Sequence, residues 1–143
     1  MSNHPYQDHS VIERILSTCK TIAVVGLSSQ QDKAGHYVPQ YLQSQGYRII
    51  PVNPALELAL GEVSYSDLLA VPSPVDLVLI FRRSEAVPPF IDQAIQIGAK
   101  AVWMQLGIVN DVAAQRAVDA GLDVVMDACM MVEHRRRYSP YRG

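Results

Sequence analysis

The chain has 143 residues, of which 49% are hydrophobic and 18% charged, and its formal net charge is -2 at pH 7. This balance is typical of one packed domain, here expected over residues 1–143, and it excludes a disordered chain. It also excludes a protein that binds nucleic acid through an overall basic surplus. No apolar run approaches the ~20 residues of a membrane span, and residues 1–8 lack the regions of a signal peptide. Cys19 and Cys129 stand in no paired motif, so we expect a cytoplasmic protein.

The first part of the chain predicts a helix, a strand and a second helix. Ser10 and Glu13 have the spacing of a capping box, which predicts a helix over about residues 10–19. Residues 21–26 form a β-branched run that ends in glycine, typical of a strand buried on both faces. The helix that follows contains Pro39, which is compatible with a helix only in the first turn.

The alternation of strands and helices continues to the end of the chain, although residues 55–74 are irregular. Further strands are predicted over residues 47–52, 75–81, 101–104 and 123–126. Further helices are predicted after Pro88, after Asn110 and from Met130, and the last leads into a basic tail over about residues 134–143. Such alternation predicts an α/β fold, a single Rossmann-like doubly wound parallel sheet in three αβα layers.

The segment after the first strand, Gly26-Leu27-Ser28-Ser29, is a candidate phosphate-binding loop, because open parallel sheets bind ligands beyond the carboxyl ends of their strands. Gly26 lets the backbone approach a ligand, and Ser28 and Ser29 offer hydroxyl donors. The next helix points its amide-rich N-terminus at an anion. The segment is not a complete G-x-G-x-x-G motif, since the next glycine is Gly35, and a plain strand-to-helix turn is the alternative.

The segment after the second strand, Asn53-Pro54, bears on the type of nucleotide. Nicotinamide-binding Rossmann domains usually place Asp or Glu there for the ribose 2′-hydroxyl, and this chain has neither. Pro54 suits packing against an adenine ring, and the alternative is that Asn-Pro only starts a turn. An NAD(P)-dependent oxidoreductase is therefore a disfavoured alternative.

The segment after the third strand carries two adjacent cations, Arg82 and Arg83. The planar guanidinium is the side chain best matched to phosphate, so a ligand with several phosphates would use one or both. The alternative is a solvated pair that bonds to local carboxylates such as Glu85.

Taken together, these segments resemble the small CoA-binding proteins, whose single domain is similar to the N-terminal CoA-binding domain of the succinyl-CoA synthetase α subunit. The resemblance covers roughly Ile12 to Arg136. Its carriers are Ile22-Ala23-Val24-Val25-Gly26-Leu27-Ser28 and four further blocks in the same order, residues 46–54, 75–83, 98–107 and 124–130.

The resemblance implies a CoA site at the carboxyl edge of the sheet. Gly26 to Ser29 would hold the ADP pyrophosphate, and Asn53 and Pro54 would lie beside the adenosine. The other implied site residues are Phe81, Arg82 and Arg83 along the ligand path, Val87 as an apolar wall, and Gln105 and Leu106 near the pantetheine end.

Two departures from the family pattern concern phosphate binding. Relatives tend to have basic residues where this chain has Ala128 and Met131. The loop over residues 30–35 also replaces a proline-containing stretch. Both departures predict weaker binding, or phosphate contacts shifted to Lys33 or His36.

Catalysis is not expected, because the ligases that share this domain use a second domain that supplies a phosphorylatable histidine. The histidines of this chain show no metal-ligand spacing; they are His4, His9, His36 and His134. His36 alone falls near the ligand edge, and a lone helical histidine is usually exposed. A mixed disulfide between Cys129 and CoA is less favoured than a buried apolar role for that side chain.

The resemblance therefore implies non-catalytic binding of CoA or an acyl-CoA, as a regulatory or accessory module whose protein partner, if it has one, is unidentified. The alternative of a different class is an interaction module whose basic run, residues 134–138, touches RNA or an acidic protein. Against a net-negative domain, a solvated helix end explains that run as well, so nucleic acid is disfavoured.

Overall fold

The computed structural model describes residues 5–138, so His4 and residues 139–143 of the basic tail lie outside the described part. The helices are α1 (His9–Thr18), α2 (Ala34–Ser44), α3 (Pro88–Gln96), α4 (Asp111–Asp119) and α5 (Met130–Tyr138), with short 3-10 turns at Leu68–Ala70 and Ser84–Ala86. The strands are β1 (Thr21–Val25), β2 (Arg48–Val52), β3 (Leu58–Ala59), β4 (Glu62–Val63), β5 (Leu77–Ile80), β6 (Ala101–Met104) and β7 (Asp123–Met126).

Five of the strands form one parallel sheet in the order β2-β1-β5-β6-β7. The chain moves outward from β1 to β2, then crosses to the other side of β1 and continues through β5, β6 and β7. The strand order therefore reverses between β1 and β5. The predicted Rossmann-like α/β fold is confirmed, and the reversal marks the point where such sheets bind ligands.

Alternate residues of each strand point to opposite faces, and both faces are covered by helices. Val25, Ile80 and Met104 pack with α3 and α4 on one face. Val24 and Trp103 pack with α1, α2 and α5 on the other, where the Trp103 indole donates to the carbonyl of Ala128 at 2.8 Å. The result is three αβα layers, with Trp103 fully buried.

Both edges of the sheet are partly covered by other segments. At the β2 edge the Tyr65 amide donates to the carbonyl of Pro51 at 3.0 Å, and Pro51 itself is tolerated because it lies in an edge strand. At the β7 edge the Met126 amide donates to the carbonyl of Tyr6 at 3.0 Å, and the Gln7 side chain donates to the Met126 carbonyl. These contacts leave few strand groups open to pairing with another chain.

The first helix is confirmed, but its cap differs from the predicted capping box. Asp8 is the N-cap residue, and its carboxylate accepts the amides of Ser10 at 2.8 Å and Val11 at 3.3 Å. Hydrogen bonds from Ser10 lower the pKa of Asp8. The carboxylate is a stronger acceptor than the Ser10 hydroxyl, so the helix begins at His9.

The last helix is attached by a cluster of rings around His134. The Tyr41 hydroxyl lies 2.8 Å from Nδ1 of His134, and the ring centroid of Tyr138 lies 4.7 Å from that of His134. The His134 side chain is buried, and burial lowers its pKa. The neutral imidazole is therefore the form that the fold accommodates.

Acidification is expected to destabilise the fold through His134. Because its pKa is lower in the folded state, the unfolded state binds more protons just below the ordinary histidine pKa. Stability from this group is present at about pH 7.5 and is lost as the pH falls toward about 5.5. The urea midpoint should fall over this interval in the wild type and fall less in His134→Gln. Equal slopes in the two proteins would show that His134 does not contribute.

No helix in the described part of the chain is both long enough and apolar enough to cross a membrane.

Candidate functional site

A cleft of about 340 Å³ lies at the carboxyl edge of the sheet, where the strand order reverses. Of the predicted site residues, it is lined by Gly26, Asn53, Pro54, Phe81 and Arg82. The structure adds four residues to this set, Val25, Val52, Ser66 and Phe90. The floor is apolar, and a single cation, Arg82, stands among these lining residues. Such a cleft suits an aromatic base that carries anionic groups.

Gly26 is required by the packing of the strands. Its φ is +83°, and a Cβ placed on it would lie 2.6 Å from the carbonyl oxygen of Phe81. The expectation from the sequence was that this glycine lets a ligand approach the backbone. The structure gives a different reason, since a side chain here would collide with the protein's own backbone at the end of β5.

The position of Pro39 in α2 differs from the predicted one, and it affects how the loop after β1 is held. Pro39 lies in the second turn of α2, which begins at Ala34, and not in the first turn as predicted. A proline there has no amide to donate to the carbonyl of Gly35, four residues earlier. That carbonyl instead accepts the amide of Ser28 at 3.0 Å. The helix thereby tolerates its proline and holds the loop.

His36 fixes the same loop from a buried position, so the expectation that it is exposed is wrong. Its Nδ1 lies 2.7 Å from the carbonyl oxygen of Ser28. A carbonyl only accepts hydrogen bonds, so Nδ1 carries the proton. His36 is therefore a positioning residue for the loop. Lys33, the other predicted substitute for a phosphate contact, is exposed at the start of α2.

The loop after β1 continues from Gly26 at the cleft, but Leu27, Ser28 and Ser29 are not among the residues that line the cleft. Leu27 is fully buried among the core residues, so it has no atom exposed to a ligand. Within residues 5–138, the amides of Leu27 and Ser29 donate no hydrogen bond. The Ser28 hydroxyl oxygen accepts the Gln30 amide at 3.0 Å, which leaves its proton to be donated. Ser29 is exposed.

Asn53 joins the end of β2 to this loop. Its Nδ2 donates to the carbonyl of Leu27 at 2.9 Å, and its Oδ1 accepts the amide of Ala55 at 2.9 Å. Both polar atoms of the Asn53 side chain are thus engaged in hydrogen bonds. It braces the wall of the cleft, and no carboxylate replaces it among the residues that line the cleft.

Changing Asn53→Asp is expected to destabilise the protein by about 1–3 kcal/mol. The second carboxylate oxygen would face the Leu27 carbonyl, and two acceptors repel. Urea unfolding near neutral pH measures the loss. The variant should not acquire NAD binding, because the carboxylate replaces a brace of the loop. Unchanged stability, or new affinity for NAD, would contradict this role of Asn53.

The two adjacent arginines separate. The Arg82 guanidinium carbon lies 5.5 Å from the ring centroid of Phe90, within cation–π range, and Arg82 lines the cleft. Arg83 instead pairs with Glu85 at 3.2 Å, and the two side chains are 82% and 71% exposed. The structure thus brings Arg82 to the site and gives Arg83 the surface pairing foreseen as its alternative.

The remaining predicted residues lie around the cleft, not on its lining. Val87 is fully buried beneath the start of α3, so its side chain does not reach the surface of the cleft. Gln105 is buried, and its Oε1 accepts the amide of Met130 at 3.3 Å. Leu106 is 66% exposed beyond β6. Ala128 is buried and Met131 half-buried in the layer of α1, α2 and α5, and neither lines the cleft.

The basic run at the end of α5 is largely engaged within the protein. Glu133 bonds to Arg136 at 3.1 Å and to Arg137 at 2.9 Å, and Arg135 lies 5.4 Å from the ring centroid of Tyr41. These contacts weaken the alternative of an RNA-binding run. A larger cavity of about 490 Å³ lies here, between α1 and α5. It is lined by His9, Glu13 and the end of α5.

Comparison with known proteins decides the family. Residues 20–135 match the family model described as CoA binding domain. The chain belongs to this family. The uncharacterized protein YneT of Bacillus subtilis is 42% identical over 123 residues, which are 86% of this chain and 91% of that protein.

Two further proteins are similar to this chain. A hypothetical protein from Pyrococcus horikoshii, of known structure, is 36% identical, with a TM-score of 0.88 over 95% of this chain and 98% of that one. An ADP-forming acetate–CoA ligase of Archaeoglobus fulgidus is 31% identical over 74 residues, which are 52% of this chain and 11% of the ligase. The CoA-binding domain is thus homologous to one part of that enzyme, as the resemblance to a synthetase domain implies.

Proposed function

We propose that this chain binds CoA or an acyl-CoA in the cleft at the carboxyl edge of the sheet, without catalysing a reaction itself. The observation that carries the proposal is a cleft at the reversal of strand order in a member of the CoA binding domain family. Five residues expected from the sequence line that cleft.

The nucleotide end of CoA fits the chemistry of the cleft. The adenine lies between Pro54 and the apolar residues Phe81 and Phe90, which offer flat or apolar faces. Arg82, already stacked over Phe90, receives a phosphate of the ligand through charge-assisted hydrogen bonds. The amide of Ser29 and the Ser28 hydroxyl receive the pyrophosphate.

The composition of the cleft supports binding without chemistry. Its lining residues include no carboxylate, histidine or cysteine that would serve as a general base or a nucleophile. The lack of a carboxylate beside the β2 end also disfavours NAD. Cys19 and Cys129 are unpaired, which supports a cytoplasmic location. We assign the chain an accessory role in which it presents CoA to a protein partner.

Isothermal titration with CoA, 3′-dephospho-CoA, ADP and NAD tests the proposal. We expect micromolar binding of CoA, weaker binding of ADP, and no heat with NAD. Absence of CoA binding would overturn the proposal, and so would NAD binding of equal strength. Weaker binding of 3′-dephospho-CoA would assign a contact to the 3′-phosphate.

A further inference from the structure

An exposed group of apolar side chains lies at the same edge of the sheet, beyond β6. Leu106 is 66% exposed, Val109 40% and Val112 82%. All three lie within residues 106–112, the loop after β6 and the first turn of α4, and we name them the edge patch. Three strongly exposed apolar side chains within seven residues offer a surface for an apolar group.

The loop that carries the edge patch is held from both sides. The Val109 amide donates to Oγ of Ser84 at 2.9 Å, which ties the loop to the segment after β5. On the opposite side, the Gly107 amide donates to Oδ1 of Asp127 at 2.7 Å, just after β7. The apolar side chains are therefore displayed by a braced loop, and their exposure is a built feature of this edge.

The edge patch continues the line of the proposed nucleotide cleft. The cleft lies at the ends of β2, β1 and β5, and β6 is the next strand in the sheet. Ile80 pairs with Met104 in the register of β5 and β6, so Gln105 is the neighbour of the cleft residue Phe81. Neighbouring strands lie about 4.8 Å apart, and Leu106 follows Gln105 directly. Ser84, two residues after Arg82, contacts both Val109 and Asn110. A ligand that extends from the cleft across β5 reaches the edge patch.

We propose that the edge patch binds the aliphatic acyl chain of a CoA thioester, so that the preferred ligand is a medium-chain acyl-CoA and not free CoA. This inference rests on the proposed function, because it places the acyl end relative to the nucleotide end in the cleft. The edge patch presents three hydrocarbon side chains. The exposed Asp111 within the same segment and Asp127 behind it disfavour an acyl group that ends in a carboxylate.

Titration with CoA, acetyl-CoA, octanoyl-CoA and succinyl-CoA tests the proposal on the intact chain. We expect octanoyl-CoA to bind at least about tenfold more tightly than CoA, because several methylene groups leave water. Acetyl-CoA should resemble CoA, and succinyl-CoA should bind no better. If CoA binds and octanoyl-CoA binds no more tightly, this inference is wrong and the proposed function stands. If neither thioester nor CoA binds, the proposed function fails as well.

Matched variants locate the acyl chain. Leu106→Gln and Val112→Gln should each lower the ratio of octanoyl-CoA affinity to CoA affinity by about threefold or more. Leu58→Gln is the control, since Leu58 has the same 66% exposure but lies on β3. An unchanged ratio in both edge-patch variants, or an equal fall in the control, would contradict the assignment.

Discussion

Arg82→Ala is expected to weaken CoA binding at least about tenfold, whereas Arg83→Ala should change it less than about twofold. Arg82 lines the cleft and stacks over Phe90, so its removal takes away the cation that meets a phosphate. A charge-assisted hydrogen bond is worth about 1.5–3 kcal/mol, enough for a tenfold loss. Arg83 is bound to Glu85 on the surface, where an ion pair contributes little.

Isothermal titration of both variants with CoA provides the comparison, and urea unfolding confirms that both remain folded. The two changes remove the same charge one residue apart, so they differ only in the position of the guanidinium. Equal losses in the two variants would indicate a general electrostatic effect. Unchanged binding in Arg82→Ala would place the phosphates elsewhere.

Gly26→Ala is expected to destabilise the fold far more than an alanine at another glycine of similar backbone conformation. The new Cβ would lie 2.6 Å from the Phe81 carbonyl oxygen, so β1 or β5 must shift. Gly121 is the matched control, because its φ is +90° and nothing lies within 4 Å of a Cβ placed there. Gly121→Ala should cost about 1–2 kcal/mol from backbone strain alone, and Gly26→Ala at least about 2 kcal/mol more.

Urea unfolding of the two glycine variants measures the difference. Equal losses would mean that the edge of the sheet relaxes around the added methyl group. In that case Gly26 would serve ligand approach, as the sequence first suggested, and CoA affinity would fall in a stable Gly26→Ala protein.

The sheet and the position of the cleft were predictable because they follow from local patterns. Short β-branched runs such as residues 21–26 and 75–81 alternate with amphipathic segments, and this order alone implies parallel strands whose carboxyl ends share an edge. The residues directly after the strands then converge by topology. Gly26, Asn53 and Phe81 were found in this way.

The details that sequence analysis missed depend on contacts between distant parts of the chain. Ser66 enters the cleft because Tyr65 bridges to Val52, and nothing in the irregular stretch around it predicts that pairing. Which of the two arginines lines the cleft depends on the next turns of the chain. Glu85 pairs with Arg83, and the ring of Phe90 lies under Arg82. Periodicity carries no information about either contact.

Pro39 shows how a general rule was overridden locally. A proline inside a helix leaves a carbonyl without its usual donor, which predicted a later start for α2. The structure supplies the missing donor from the Ser28 amide, in the loop that precedes the helix. The Gly35 carbonyl that Pro39 leaves without a helical donor is therefore the same group that binds the loop.

The most direct test of CoA binding at this cleft is the amide proton–nitrogen spectrum of the ¹⁵N-labelled protein during titration with CoA. We predict that the largest shifts occur at the amides of Gly26 to Ser29 and around Asn53 and Arg82, with saturation that matches the calorimetric affinity. Shifts confined to the cavity between α1 and α5, around Arg136 and Tyr138, would contradict the assignment of the cleft, and an unchanged spectrum would contradict CoA binding itself.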